Sequence, residues 1–178
     1  MLTTEEKQAL LRVAREALDA AVRGRGFRPP EAASPALQQP RGAFVTIHSH
    51  GELRGCIGLT EPVYPLVETV ARMARAAALE DPRFSAVTPE ELGSVDLEIS
   101  ALTPVQPLGS IEEIEIGRHG LVIRQGGRSG LLLPQVPVEW GWDRDEFLLH
   151  ICRKAGLPSD AWRKAELYTF EAEVFREE

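Results

Sequence analysis

Apolar positions along this chain change period several times, and each change marks an element. Leu11, Ala14, Leu18, Ala21 and Val22 recur at helical spacing on one face. Thr3-Thr4-Glu5-Glu6 stands ahead of them as a capping box, in which Thr3 offers its hydroxyl and Glu6 reaches back. The spacing predicts a first helix that ends near Gly24 or Gly26. From Phe27 to Pro40 the pattern is lost among Pro29, Pro30, Pro35 and Pro40, which predicts an irregular connector draped over the surface.

Strand signals follow. Ala43 to His48 is β-rich, Ser49-His50-Gly51 makes a turn, and Glu52 to Ile57 returns, which predicts a hairpin. Val70, Met73, Ala74 and Ala77, widened by Val67, Ala71 and Ala78, predict a well-buried helix from about Leu66 to Leu79. Asp81-Pro82 stops it. Thr88-Pro89-Glu90-Glu91 is a second capping box and opens a short helix. Val95, Leu97, Ile99 and Ala101 then alternate with Asp96, Glu98 and Ser100, a clean half-buried strand. Ile111 to Ile116 and Leu121 to Arg124 read as short strands. Gln125 to Gly130 reads as a glycine turn before Leu131-Leu132-Leu133. Asp143 and Glu146 cap a third long helix that carries Phe147, Leu148, Ile151 and Cys152 and ends at Gly156. Tyr168, Phe170, Ala172 and Val174, alternating with Thr169, Glu171 and Glu173, predict one closing strand. Hairpin connections among interspersed helices indicate an α+β fold, with a mainly antiparallel or mixed sheet flanked by helices.

Composition narrows the function classes. The chain has 178 residues, 43% hydrophobic and 26% charged, enough for a sizeable core in one domain. Its formal net charge of −7 disfavours general attraction to phosphate backbones. The basic set is almost all arginine, so a local basic patch stays open. Two cysteines far apart form no disulfide framework, and the expected setting is reducing and cytoplasmic. Leu2 is followed at once by Thr3-Thr4-Glu5-Glu6, so no signal peptide is expected. No apolar window approaches a membrane span.

Leu53-Arg54-Gly55-Cys56-Ile57-Gly58 carries the densest candidate chemistry. Glycine in a strand lets a backbone or ligand come close, and a guanidinium beside a thiol favours thiolate. A small buried cysteine at a structural corner is the competing reading. His48-Ser49-His50 has a spacing a metal site can use, but a solvated turn explains it as well. His119 lies in a glycine-flanked turn, and Glu98 projects from the polar side of its strand as a candidate base. Gln135 follows a strand, where an amide can read a ligand. Asp81-Pro82-Arg83-Phe84 has the charges for a local ion pair. Gly126 to Gly130 is glycine-rich without opening a helix, so a phosphate cradle there has little support. The common phosphate-loop, dinucleotide, zinc-helix and nucleophile-elbow motifs are absent, and no cofactor is indicated.

Together these motifs resemble the AMMECR domain family, members of which in bacteria and archaea belong to the AmmeMemoRadiSam system. The resemblance rests on Leu53 to Gly58, Glu80-Asp81-Pro82-Arg83-Phe84, Leu97-Glu98-Ile99-Ser100, Ile116 to Leu121, and Gly130 to Val136. It covers about Arg41 to Phe175. It implies a cytosolic α+β protein, a single domain over 1–178 with a larger and a smaller lobe. It also implies a Memo-type protein and a radical SAM enzyme as partners, and it implies no reaction. Arg54, Gly55, Cys56, Glu98, His119 and Gln135 are the positions it marks. The functional expectation is a component that binds a partner or a small anionic ligand, with an interlobe cleft lined by Arg54, Cys56, Glu98 and His119. Arg54, Gly55 and Gln135 would hold the ligand. The alternative is an enzyme with Cys56 as reactive thiol and His119 or Glu98 as acid/base. A nucleic-acid-associated regulator is the third reading, against which the acidic balance counts.

Overall fold

The first capping box forms as its residues dictate. In the computed structural model, which describes residues 1–32 and 34–178, the Thr3 hydroxyl accepts the Glu6 N–H at 3.2 Å and Glu6 accepts the Thr3 N–H at 2.8 Å. Helix α1 (Thr4–Val22) follows, burying Leu10, Val13, Ala14, Ala17, Leu18 and Ala21. Gly24 (φ 71°) takes the left-handed conformation just beyond its end. The connector contains a short helix, α2 (Pro35–Gln38). Strands β1 (Ala43–Ser49) and β2 (Glu52–Leu59) form the expected hairpin. Its turn is two residues, His50 (φ 52°) and Gly51 (φ 80°), and two successive positive φ angles match the twist of the strands they join. Helix α3 (Leu66–Leu79) and strand β3 (Val95–Leu102) also fall where the periodicity put them.

Strand β4 (Gln106–Pro107), β5 (Gly120–Gln125), β6 (Arg128–Leu132), α4 (Gln135–Trp140), α5 (Arg144–Lys154) and β7 (Glu166–Phe170) come next, and β8 (Ala172–Arg176) closes the chain. The strands form two four-stranded sheets, β2-β1-β3-β8 and β4-β7-β5-β6. Pairing of β1 with β2 and β3, and of β7 and β5 with their neighbours, is antiparallel. The chain divides accordingly into two compact units, Met1–Leu102 with Glu173–Glu178, and Thr103–Ala172.

Each unit has its own core. In the first, Val45, Ile47, Leu97 and Ile99 meet Leu10, Leu18, Leu66 and Val70 of α1 and α3. In the second, Leu121 and Ile123 of β5 meet Phe147, Leu148 and Ile151 of α5.

Two strand expectations are corrected. Ile111 to Ile116 is no strand: Ile111–Glu113 is one 3-10 turn, closed by the Glu113 N–H on the Ser110 carbonyl. The closing alternation is two strands in two different sheets. Phe170 is buried at the end of β7, whereas in β8 Glu173 is buried and Val174 is 60% exposed. Glu173 tolerates burial because its carboxylate is fully engaged. It accepts the Leu2 N–H at 2.9 Å and the Arg41 guanidinium at 3.1 Å, while Arg41 Nε donates to the Leu102 carbonyl. Burial alone would raise the Glu173 pKa, but these donors outweigh it and hold it below the ordinary value.

Candidate functional site

Cys56 lies on β2, at the edge of the first sheet, where one row of backbone groups lacks a neighbouring strand. The segment after α3 supplies a partner for one of these groups and several for the Arg54 side chain. The Cys56 N–H donates to Asp81 Oδ2 at 2.9 Å. Arg54 donates to the Ser85 and Ala86 carbonyls at 2.8 and 3.3 Å, and to both Glu91 oxygens at 3.1 Å. Glu91 in turn accepts the Thr88 N–H, so one carboxylate both caps the 3-10 helix Pro89–Ser94 and clamps Arg54. Its pKa is lowered, first by Arg54 and then by the Thr88 N–H.

Asp81 is the centre of this edge. Its side chain is 2% exposed, while that of its partner Arg83 is 56% exposed. The carboxylate accepts the Cys56 N–H, the Arg83 N–H at 3.0 Å, and two guanidinium donors of Arg83 at 3.1 and 2.8 Å. These bonds, Arg83 first and the Cys56 N–H next, hold Asp81 well below the usual carboxylate range. The ion pair expected within Asp81-Pro82-Arg83-Phe84 is therefore present, and it also carries the backbone of Cys56. Arg83 is held above its ordinary value by Asp81.

The glycines beside Cys56 are filled by the protein itself. A Cβ on Gly55 would lie 2.4 Å from the Ala77 carbonyl of α3, and one on Gly58 would lie 2.1 Å from the Phe44 ring. The space at Gly55 admits α3. The Arg54 guanidinium is engaged by Glu91 and two backbone carbonyls. The register also skips Arg54: Gly55 opposes Ile47 and Leu53 opposes His48.

The thiol has a different neighbour. Thr46 of β1 pairs with Cys56 on one side and with Glu98 on the other. Directly paired residues share a face, so Cys56, Thr46 and Glu98 form one row across three strands. With strands about 4.8 Å apart, the Cys56 and Glu98 backbones lie about 10 Å from each other. All three residues are half-buried, and the face opposite carries the apolar packing of α1 and α3. The Thr46 hydroxyl donates to Cys56 Sγ at 3.2 Å.

His119 and Gln135 belong to the second unit. His119 Nδ1 accepts the Glu115 N–H at 3.0 Å and its own N–H donates to the Glu115 carbonyl, closing the turn. Neutral His119 therefore carries its proton on Nε2. Gln135 is exposed at the first position of α4, an element that sequence reasoning missed. The expected glycine turn is a two-residue hairpin, Gly126-Gly127, with Gln125 opposite Arg128. His150 stacks on Trp142 with ring centroids 3.8 Å apart. Cys152 is fully buried in the second core, and burial pushes its thiol pKa up. Among the described residues, no three His, Cys, Asp or Glu side chains gather as a metal site. No helix there is long and apolar enough to cross a membrane.

Thr46 and the tie from Asp81 to Cys56 were also missed by sequence reasoning. Counting back from the His50-Gly51 turn would have placed Val45 opposite Cys56, and the skip at Arg54 puts Thr46 there instead. Nothing in the sequence signals that Asp81 reaches the edge of β2.

Two antiparallel sheets with helices, one sheet carrying a cysteine row backed by a buried carboxylate, define an α+β protein with a half-buried polar sheet face. A family model described as AMMECR1 matches residues 11–175, and the chain belongs to that family. It is 50% identical to a protein of Thermococcus gammatolerans over 182 residues, covering 95% of this chain and 89% of that protein. Protein MJ0810 of Methanocaldococcus jannaschii is 44% identical, with 99% and 92% covered. The crystal structure of the uncharacterized protein PH0010 from Pyrococcus horikoshii is similar at a TM-score of 0.75 and 43% identity, covering 95% of this chain and 90% of that one.

Proposed function

We propose that this AMMECR1-family protein is a binding component whose contact surface includes the Cys56–Thr46–Glu98 row, and that its partners are a Memo-type protein and a radical SAM enzyme. One observation carries the reading for the surface. Three polar side chains lie in register on a half-buried sheet face, and the backbone beneath Cys56 is held by a buried carboxylate. Such a row offers a donor, an acceptor and a soft sulfur on a rigid frame, which binding requires and a loop would not provide. The partner classes come from the family resemblance. Co-purification with the Memo-type and radical SAM proteins of the same organism, under reducing conditions, tests them. The complex should persist in Cys56→Ala and weaken in Glu98→Gln. Absence of any complex with the wild-type protein overturns the partner assignment.

A second reading is favoured by the Thr46 hydroxyl on Cys56 Sγ. It is an enzyme in which the Cys56 thiol is the nucleophile and Glu98, in the same row, carries the proton. Its signature is a Cys56 that alkylates faster than a free cysteine at neutral pH and depends on Glu98. Alkylation rates of Cys56 at neutral pH read this directly in the wild type and Glu98→Gln. A rate no faster than that of a free cysteine, unchanged by the substitution, removes the enzyme reading and leaves the binding reading standing.

A further inference from the structure

We propose a second, separate site: a groove on the helical side of the first unit that takes an organic phosphate, with a phosphate or diphosphate head and an apolar body. The groove has a volume of about 860 Å³, lies between α1, α3 and the connector, and is of small-molecule size. Its lining divides by chemistry. Ala17 and Ala21 of α1 and Val67 and Ala71 of α3 give a buried floor of short apolar side chains. Phe27, Pro29 and Pro30 of the connector add an apolar wall.

Four arginines, Arg25, Arg28, Arg72 and Arg75, line the same groove against two carboxylates, Glu31 and Glu68. Glu68 is already used, since it accepts two donors of Arg72 at 2.9 and 2.7 Å. Arg72 is held further by the Tyr64 ring, 4.1 Å from the guanidinium carbon to the ring centroid. Arg25, Arg28 and Arg75 form no ion pair among the described residues. In a chain of net charge −7, four guanidinium groups against two carboxylates around one cavity are a local reversal of sign. Their mutual repulsion falls when an anion sits among them, and the planar guanidinium fork matches phosphate oxygens two at a time. The cavity is much larger than one phosphate group, and the apolar floor and wall suit the remainder of the molecule. Enclosure by two helices and a proline-stiffened connector fits one small ligand better than an extended acidic peptide.

Two probes separate the halves of this site. Pyrophosphate reports the arginines, and 1-anilinonaphthalene-8-sulfonate, an anion on an apolar body, reports both. The dye should gain fluorescence on the native protein and be displaced by pyrophosphate. The Arg28→Ala/Arg75→Ala double variant should lose about tenfold in pyrophosphate affinity for each arginine. Ala71→Leu, which fills the floor, should weaken the dye and spare pyrophosphate. Arg12→Ala, an exposed arginine elsewhere on α1, should change neither. If the alanine pair lowers thermal stability, Arg28→Lys/Arg75→Lys keeps the charge and removes the fork, and the weakening should remain. Undiminished pyrophosphate binding in the double variants, an equal loss in Arg12→Ala, or a dye that pyrophosphate does not displace overturns the proposal.

Discussion

The two cysteines place one side chain in opposite surroundings. Cys56 is half-buried on a sheet face, accepts the Thr46 hydroxyl, and has its backbone tied to Asp81. Cys152 is fully buried among Phe147, Leu148 and Ile151, and burial disfavours its thiolate. The first is placed among polar groups on a frame that secures it. The second fills space. Residue type says nothing of this difference, and the neighbours on other elements say all of it.

Alkylation of the native protein breaks or sharpens the contrast most strongly. Cys152 should react only through opening of its core, which is populated at about one part in a thousand or less in a stable domain. Iodoacetamide should therefore modify Cys56 at least about a thousandfold faster, as mass spectrometry of digests will read. Comparable rates would mean that the second core is open.

Next in size is the frame under Cys56. Gly55→Val drives a side chain into the Ala77 carbonyl and should cost about 3 kcal/mol in urea unfolding. Asp81→Asn removes the charge that holds Arg83 and the Cys56 N–H. The folded carboxylate titrates below its unfolded value, so its stabilisation is complete above about pH 4. It is lost as pH falls through the lower folded value. The stability difference between wild type and Asp81→Asn should therefore be constant at neutral pH and shrink only in acid. A difference that grew as pH fell would refute the assignment.

Truncating each thiol gives a smaller contrast. Cys152→Ala should cost about 1–2 kcal/mol through the small cavity it leaves. Cys56→Ala should cost about 0.5 kcal/mol or less. Smallest is Thr46→Val, which deletes the donor to sulfur and keeps the shape. It should cost about 0.5 kcal/mol or less in urea unfolding.

Elements with a steady period are legible in the residues themselves. The α1 capping box, the His50-Gly51 hairpin, α3, β3 and the Asp143 cap of α5 all stand where local residues put them, because caps, turns and amphipathic faces are decided within a few residues. The segment from Glu166 to Arg176 is not legible in this way, although its alternation is regular. The strand breaks near Glu171, and Glu173 rather than Val174 faces inward because Arg41 and Leu2 neutralise it from distant parts of the chain. Short α4 gives no signal because a six-residue helix has too few turns to show a period.

Cys56, Glu98, His119 and Gln135 stand out as unusual in the sequence, and the order of their motifs points to the family. Their surroundings do not follow from it. Arg54 is clamped by Glu91, 37 residues away, and the glycines beside Cys56 admit Ala77 and Phe44. The proline-rich connector, featureless as a pattern, becomes the wall of an arginine-lined groove. Sequence alone settled which segments are helix or strand wherever hydrogen bonds and burial are local. Register, sheet membership and the partner of each charge came only with the tertiary structure, because those interactions join residues whose separation along the chain carries no signal.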